Sequence, residues 1–141
     1  MSVIVTHFPS RTMASDSQIN SAGVRLYAQP KIRRIRGALV ATVGDAADGL
    51  AFWHWYESGG RIGENPELGD GFAAVVMTEA GVFEVEQNCY PDRIPSGVSV
   101  IGSGRDVALG ALAAGASPEG AVAIACEIAN DCGPPVVIER L

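Results

Sequence analysis

The order of the predicted elements constrains the fold of this chain more than any other feature. Strand-like segments precede one helical segment, more strands follow it, and the sequence closes with two consecutive helices and a last strand. We expect strands over 3–6, 12–16, 24–27, 31–36, 38–43, 72–78, 82–86, 97–101 and 136–140, and helices over 45–58, 105–114 and 118–130. This order suits two sheets stacked between helical layers, which is an α+β sandwich.

Local residue choices mark several of these boundaries. Gly37 separates two strand segments closely enough for a tight hairpin. Acidic residues at 45 and 48 are typical of the first turn of a helix. Ser117 followed by Pro118 is typical of an N-cap and the first helical position. Residues 59–71, rich in glycine and turn formers, are expected to form a loop.

Length and charge limit the classes of function. The 141 residues suit one domain over 1–141, and the formal net charge of −6 disfavours nucleic acid as a partner. The basic run at 31–36 mixes apolar and basic residues, which favours a solvated strand face over a nucleic-acid patch. No apolar stretch has the length of a membrane span, so we expect no membrane partner.

The cysteines and the N-terminal composition indicate a cellular compartment. The three cysteines are irregularly spaced, and the N-terminus lacks the pattern of a signal peptide. We therefore expect reduced thiols in a cytoplasmic protein, with no disulfide, no metal and no cofactor.

A set of four residues suggests chemistry at the N-terminus. Ser2 would become a nucleophile at the mature N-terminus if Met1 were removed, and its own α-amine would then accept the hydroxyl proton. Such a site also needs a lysine, a carboxylate that holds it and a backbone N–H for the oxyanion. Asp16, Lys31 and Gly44 follow Ser2 in the required order.

Three segments carry a resemblance to a known family. MASDSQ (13–18), PKIRRIRGALVATVGDAAD (30–48) and IGSGRDVALGALAAGASPEGAVAIACEIA (101–129) resemble conserved segments of the proteasome-type N-terminal-nucleophile (Ntn) hydrolases, and the match runs nearly end to end. The resemblance is to a small bacterial or prophage member. It implies a four-layer αββα sandwich of two stacked antiparallel sheets. The GSGRDV turn lacks the lysine of a P-loop and the third glycine of a dinucleotide motif, so phosphate binding is not favoured.

The resemblance also implies roles for individual residues. Asp16 would orient Lys31, Lys31 would tune the N-terminal amine, and the Gly44 N–H would stabilise the oxyanion. Ser103 would help to relay the proton, and Asp131 lies close to the position of a conserved acidic residue. The substrate pocket would be flanked by Ile19, Asn20 and Thr42.

The resemblance implies that the protein is an amide hydrolase or peptidase that acts through an acyl-enzyme. The substrate would be a peptide or another amide, the protein would form a homo-oligomer, and an ATPase is a conceivable partner. The chain departs from the family in having Ser2 where proteasomal subunits use threonine and Cys132 where serine is usual. Its loop at 59–71 replaces much of a second helix.

Other interpretations of these residues remain open. Asp16 is also typical of a turn, Lys31 of a surface cation, Gly44 of a turn and Ser103 of a helix cap. A non-catalytic scaffold that retains Met1 is the alternative function, and a small non-peptide amidase would share the chemistry.

Three aromatic residues of the first helix are expected to have structural roles. We expect His54 to be a partly buried helix residue, not a catalytic base. Trp53 and Trp55 are expected in the core or in a subunit contact.

Overall fold

The computed structural model describes residues 2–21, 24–26 and 30–141, which form eleven strands and three α-helices. The strands are β1 (Ile4–His7), β2 (Thr12–Ser15), β3 (Ile19–Ser21), β4 (Val24–Leu26), β5 (Ile32–Ile35), β6 (Ala38–Val43), β7 (Ala73–Thr78), β8 (Gly81–Val85), β9 (Pro91–Arg93), β10 (Val98–Ile101) and β11 (Val137–Arg140). The helices are α1 (Ala46–Glu57), α2 (Arg105–Ala113) and α3 (Pro118–Ile128). None of these helices has the length and apolar character needed to cross a membrane.

The strands form two antiparallel sheets and a separate hairpin. The first sheet has the order β10-β1-β2-β11, and the second has the order β5-β6-β7-β8-β9. Strands β3 and β4 pair only with each other among the described residues. In the first sheet Ile4 pairs with Ser15, so the residues just before β1 lie beside those just after β2. This register brings the N-terminus of the chain close to Asp16.

Three apolar clusters separate four layers. One lies between the first sheet and helices α2 and α3, with Val5 and Val122 among its members. The second lies between the two sheets and includes Met13 and Leu39. The third fills the space between the second sheet and α1, around Phe52. The predicted four-layer αββα sandwich of two stacked antiparallel sheets is therefore confirmed.

The helix starts follow the residues that predicted them. The Asp45 side chain accepts a hydrogen bond from the Ala47 N–H at the start of α1, and Ser117 caps α3 in the same way through Gly120 N–H. The hairpin between β5 and β6 turns at Arg36 and Gly37, which both have positive φ angles. Each of these signals involves residues no more than three positions apart, and they correctly predicted where the two helices and the hairpin begin or turn.

Nearly all predicted elements occur, with ends that differ by one or two residues. Residue 27, at the end of one predicted strand, lies outside the described residues. The sequence did not predict β3 or β9, because both are three-residue strands and β9 is exposed and begins with proline.

The expectation that His54 is partly buried is wrong. Its side chain is exposed on the outer face of α1, whereas Phe52 and Trp53 of the same helix pack against the sheet. Trp55 is half-buried and lies 5.6 Å from Phe52, centroid to centroid.

Candidate active site

Ser2 is held tightly where the chain enters β1. The Gly104 N–H donates to Ser2 O at 3.0 Å, and Gly102 packs so closely on the same carbonyl that a Cβ there would collide with it. Gly102 also has a φ of 103°, which side chains other than hydrogen rarely allow. The turn between β10 and α2 therefore fixes the backbone of the predicted nucleophile, and only 7% of Ser2 is exposed.

Lys31, the only lysine in the chain, connects the site. Its Nζ donates to Ser2 Oγ at 2.8 Å, to Asp16 Oδ1 at 2.7 Å and to Gln18 O at 2.7 Å. Only 7% of this residue is exposed, and a lysine this buried needs a counter-charge, which Asp16 provides. It precedes β5 directly and reaches across to the end of the first sheet. The structure thus brings three predicted residues, Ser2, Asp16 and Lys31, into direct contact.

Asp16 is fully buried and surrounded by donors. Its Oδ1 accepts from Val3 N–H at 3.1 Å, and its Oδ2 accepts from Gln18 N–H and Gly133 N–H at 3.2 Å each. These backbone donors and the Lys31 ammonium offset the desolvation of the carboxylate. Asp16 is therefore positioned by the backbone of three separate segments and in turn positions Lys31.

Ser103 lies against the backbone nitrogen of Ser2. The Ser2 N–H donates to Ser103 Oγ at 3.2 Å, so the hydroxyl is within reach of the group that becomes an amine if Met1 is removed. The N-cap of α2 is Gly104, and no side chain caps this helix, so the helix-cap interpretation of Ser103 is not observed. Met1 itself lies outside the described residues.

A cavity of about 570 Å³ opens beside Ser2. Gly44, at the end of β6 with a φ of 107°, lies in its wall together with the three residues predicted to flank the pocket. A Cβ at Gly44 would approach Gly71 O to 2.8 Å, so this position requires glycine. The cavity is lined by Ser2, Gln18, Ile19, Asn20, Pro30, Lys31, Arg33, Thr42, Val43, Gly44, Asp45, Ala46, Leu50 and Trp53.

Asp131 lies in the turn after α3 and is half-buried. Among the described residues it forms no hydrogen bond with Ser2, Asp16 or Lys31. The contact from this turn to the site comes from Gly133 through its N–H. Asp131 therefore lies near the constellation without joining it directly.

Sequence reasoning did not identify Gln18, Gly133 or Arg33 as part of the site. Gln18 is 1% exposed, and its side-chain amide donates to Asn20 Oδ1 at 3.0 Å and to Asn130 O at 3.3 Å. Its main-chain groups contact both Asp16 and Lys31. Its position two residues after Asp16 was the one available sequence signal. An aspartate side chain commonly accepts a hydrogen bond from the backbone N–H of the residue two positions later.

Two cysteines lie close to the buried carboxylate. Burial, and to a smaller extent the Asp16 charge, raises the pKa of the Cys132 thiol to about 11. Burial and Asp16 likewise raise the pKa of Cys126 to about 11. Both thiols are therefore protonated at neutral pH, which makes them poor nucleophiles. No group of three or more histidine, cysteine, aspartate or glutamate side chains suited to a metal occurs in the described ranges.

Comparison with solved structures shows that the chain shares the proteasome-type Ntn-hydrolase fold. BPH of Thiobacillus denitrificans, in complex with epoxomicin, matches with a TM-score of 0.73 and 20% identity over 99% of this chain and 98% of that one. HslV of Trypanosoma brucei matches with a TM-score of 0.74 and 19% identity, covering 97% of each chain. No protein-family model and no curated protein matches the sequence. At this level of identity the likeness establishes a shared fold, and the resemblance noted from the sequence is confirmed to that extent.

Proposed function

We propose that this protein is an N-terminal-nucleophile hydrolase in which Ser2 Oγ attacks the carbonyl of an amide. The main support is the 2.8 Å hydrogen bond from Lys31 Nζ to Ser2 Oγ at the edge of a cavity of about 570 Å³. A neighbouring ammonium stabilises the alkoxide that develops on a serine nucleophile. A cavity of this size is ample for a substrate side chain.

The first step forms an acyl-enzyme. With Met1 removed, the Ser2 α-amine accepts the hydroxyl proton while Oγ bonds to the carbonyl carbon. The Gly44 N–H would stabilise the oxyanion, since Gly44 lies in the wall of the same cavity. The amide C–N bond then breaks, and the leaving amine takes a proton from the α-ammonium.

The second step releases the acid and restores the enzyme. Water attacks the ester carbonyl, and the α-amine takes the proton of the water as the new bond forms. Ser2 Oγ leaves and regains a proton from the α-ammonium. Ser103 Oγ, which is 3.2 Å from Ser2 N, would pass protons between these groups, and Asp131 would contribute only from a distance.

Lys31 and Asp16 serve as a fixed electrostatic unit in this scheme. The Lys31 charge disfavours protonation of the nearby amine and favours the alkoxide, both of which lower the barrier to attack. The carboxylate of Asp16 holds this charge in a buried position where it would otherwise be costly.

The proposal also covers the substrate class, the assembly and the cellular location of the enzyme. We also propose a peptide substrate and a homo-oligomeric assembly, for which the fold shared with HslV is the support. A bacterial or phage protein of the cytoplasm remains part of the proposal, with the similar fold of a Thiobacillus protein as its support. We further propose that 1–141 acts as one domain. We propose an ATPase partner only if the assembly presents a face on which an ATPase can dock. Measuring the size of the oligomer is the first step in establishing whether it does.

The decisive experiment combines intact mass with acyl trapping. The mass of purified protein is expected to lack one methionine, and incubation with an activated ester is expected to add one acyl group that mild alkali releases, as it would an ester on Ser2 Oγ but not an amide on an amine. Ser2→Ala keeps a small second residue, so that Met1 removal proceeds, but it removes the nucleophile. Ser96→Ala removes an exposed serine that does not line the cavity and serves as the matched control.

Each result has a defined meaning. Acylation of the wild type and of Ser96→Ala, but not of Ser2→Ala, supports the nucleophile and the two-step mechanism. A mass that retains Met1, with no acyl adduct, overturns the proposal and leaves the non-catalytic scaffold on the same fold. Hydrolysis of simple amides but not of peptides would restrict the enzyme to the amidase class.

A further inference from the structure

Arg33 occupies a distinctive place in the wall of the Ser2 cavity. It lies on β5, which is an edge strand of the second sheet, and its side chain extends to the Trp53 side chain of α1. A second cavity of about 470 Å³ shares Arg33, Leu50 and Trp53 with the first. Arg33 therefore stands between two openings of the same surface, one of which contains the nucleophile.

The guanidinium of the exposed Arg33 stacks on an aromatic ring, and its donors have no hydrogen-bond partner in the part of the chain that the structure describes. Its Cζ lies over the Trp53 ring at 4.1 Å from the centroid, which is a cation–π contact. Stacking uses the face of the guanidinium and leaves its edge available for a bidentate partner. Within the described ranges no carboxylate lies within ion-pair distance of Arg33, whereas Lys31 pairs with Asp16 and Arg34 lies 3.7 Å from Glu139.

The other charges of the cavity leave Arg33 as its recognition group. The Lys31 charge is matched by Asp16, and the Asp45 carboxylate accepts the Ala47 N–H at the start of α1. The other lining residues among those that the structure describes have uncharged side chains. A carboxylate that enters the cavity would thus find the unpaired guanidinium of Arg33 stacked on Trp53. A cationic group would find only the Asp45 carboxylate, which already accepts a hydrogen bond at the start of α1.

We propose that Arg33 binds an acidic side chain of the substrate, on the residue whose carbonyl Ser2 attacks. The proposal rests on the proposed function, because it takes the attacked carbonyl to lie at Ser2 Oγ. The acyl residue stays bonded to Ser2 through both steps, so its side chain occupies the adjoining cavity throughout. The enzyme therefore cleaves amides after glutamate or aspartate in preference to glutamine or asparagine.

The test compares substrates that differ only in charge. Fluorogenic peptide amides with Glu or Gln at the acyl residue are assayed with wild type, Arg33→Gln, Arg33→Glu and Arg34→Gln. Arg34 neighbours Arg33 but does not line the Ser2 cavity, and it donates to Arg140 O, so it is the matched control. We expect kcat/KM for Glu to exceed that for Gln by about 10- to 100-fold, the factor for a hydrogen bond to a charged group.

The variants distinguish charge recognition from a structural effect. Arg33→Gln is expected to abolish the preference by lowering kcat/KM for the Glu substrate to about that for the Gln substrate, and Arg33→Glu is expected to favour a Lys substrate. Arg34→Gln should retain the wild-type preference. Equal rates for Glu and Gln in the wild type, or a preference that survives in Arg33→Gln, would overturn the proposal.

A binding measurement separates this inference from the proposed function. Calorimetric titration of Ser2→Ala protein with acetylated peptides ending in Glu-amide or Gln-amide requires no catalysis. Tighter binding of the Glu peptide that is lost in the Ser2→Ala, Arg33→Gln double variant supports acidic recognition even if wild type hydrolyses nothing. Equal binding of the two peptides by Ser2→Ala protein overturns it, whatever the hydrolysis assay shows.

Discussion

Gly133 donates its backbone N–H to Asp16 Oδ2 at 3.2 Å, which joins residues 117 positions apart in the sequence. The contact is reinforced by the neighbouring residue, since Ser17 N–H donates to Gly133 O at 2.9 Å. The turn after α3 is thereby tied to the end of β2, and it helps to lock the carboxylate that holds Lys31. The geometry of the candidate site thus depends on a residue with no side chain.

Replacement of Gly133 by alanine is expected to disturb this lock. A Cβ at this position would lie 2.5 Å from Gln18 Oε1 and 3.1 Å from Gln18 Cβ, so the buried Gln18 must move. We expect Gly133→Ala to lower the free energy of unfolding by about 1–3 kcal/mol. It should also lower the rate of hydrolysis, because Gln18 contacts both Asp16 and Lys31. Urea denaturation and the amide assay measure the two effects.

Gly110→Ala is the matched control for that substitution. Gly110 lies within α2, and a Cβ there would have nothing within 4 Å, so alanine should stabilise the helix by about 0.5–1 kcal/mol. Equal effects of the two substitutions would contradict the role assigned to Gly133.

The Asp16–Lys31 pair predicts a large loss of stability when its carboxylate is neutralised. Asp16→Asn leaves the Lys31 ammonium buried without a counter-charge, and breaking a buried pair in this way typically costs about 3–5 kcal/mol. Glu79→Gln removes the exposed ion pair with Arg11 and should cost below about 1 kcal/mol. The midpoints of urea denaturation compare the two variants, and a similar small shift for both would exclude the electrostatic role of Asp16.

Lys31→Met tests the same pair from its other side. The substitution keeps a long apolar stem and removes the charge that contacts Ser2 Oγ, so we expect kcat to fall by about 100- to 10,000-fold with KM nearly unchanged. The double variant with Asp16→Asn should be more stable than the sum of the single effects predicts, because no buried charge is left unpaired. Strict additivity in the double-mutant cycle would show that the two residues do not act as a pair.

Short-range patterns account for what the sequence predicted well. Asp45 and Ser117 each cap a helix within three residues, and Gly37 closes a hairpin, so the elements could be placed from local chemistry alone. Ser2 and Asp16 flank the consecutive strands β1 and β2, which pair in one sheet, so their proximity follows from chain order. Lys31 reaches them from the second sheet, and its contact with Asp16 was expected only because the family resemblance implied it.

Long-range contacts account for what the sequence could not predict. Gly133 approaches Asp16 from a turn 117 residues away, and no periodic pattern encodes such a meeting. Arg33 is exposed, as expected for a solvated basic strand, and its stacking on Trp53 of another layer is a contact that the strand pattern does not encode. His54 was misplaced because the helical period does not show which polar residue of an aromatic-rich helix faces outward.

The thiols near Asp16 predict a decline in stability at high pH. The folded-state pKa of Cys132 is about 11, above its usual value of 9.0, because burial and the Asp16 charge favour the protonated form. Above about pH 9 the unfolded chain loses this proton while the folded protein keeps it. The contribution to stability is thus fully present below the usual pKa and is lost as the pH rises towards 11. Urea denaturation from pH 8 to pH 11 should show this decline, and Cys132→Ala should reduce it.

The same shift predicts slow alkylation at neutral pH. A pKa higher by about two units lowers the thiolate fraction about 100-fold, and only the thiolate reacts with iodoacetamide. Cys132 in the folded protein should therefore react at least about 100-fold more slowly at pH 7.5 than in urea. Peptide mapping after timed alkylation assigns the rate to each cysteine. Rapid labelling of Cys132 under native conditions would mean that the turn carrying Gly133 opens readily, which would contradict the lock on Asp16 as well.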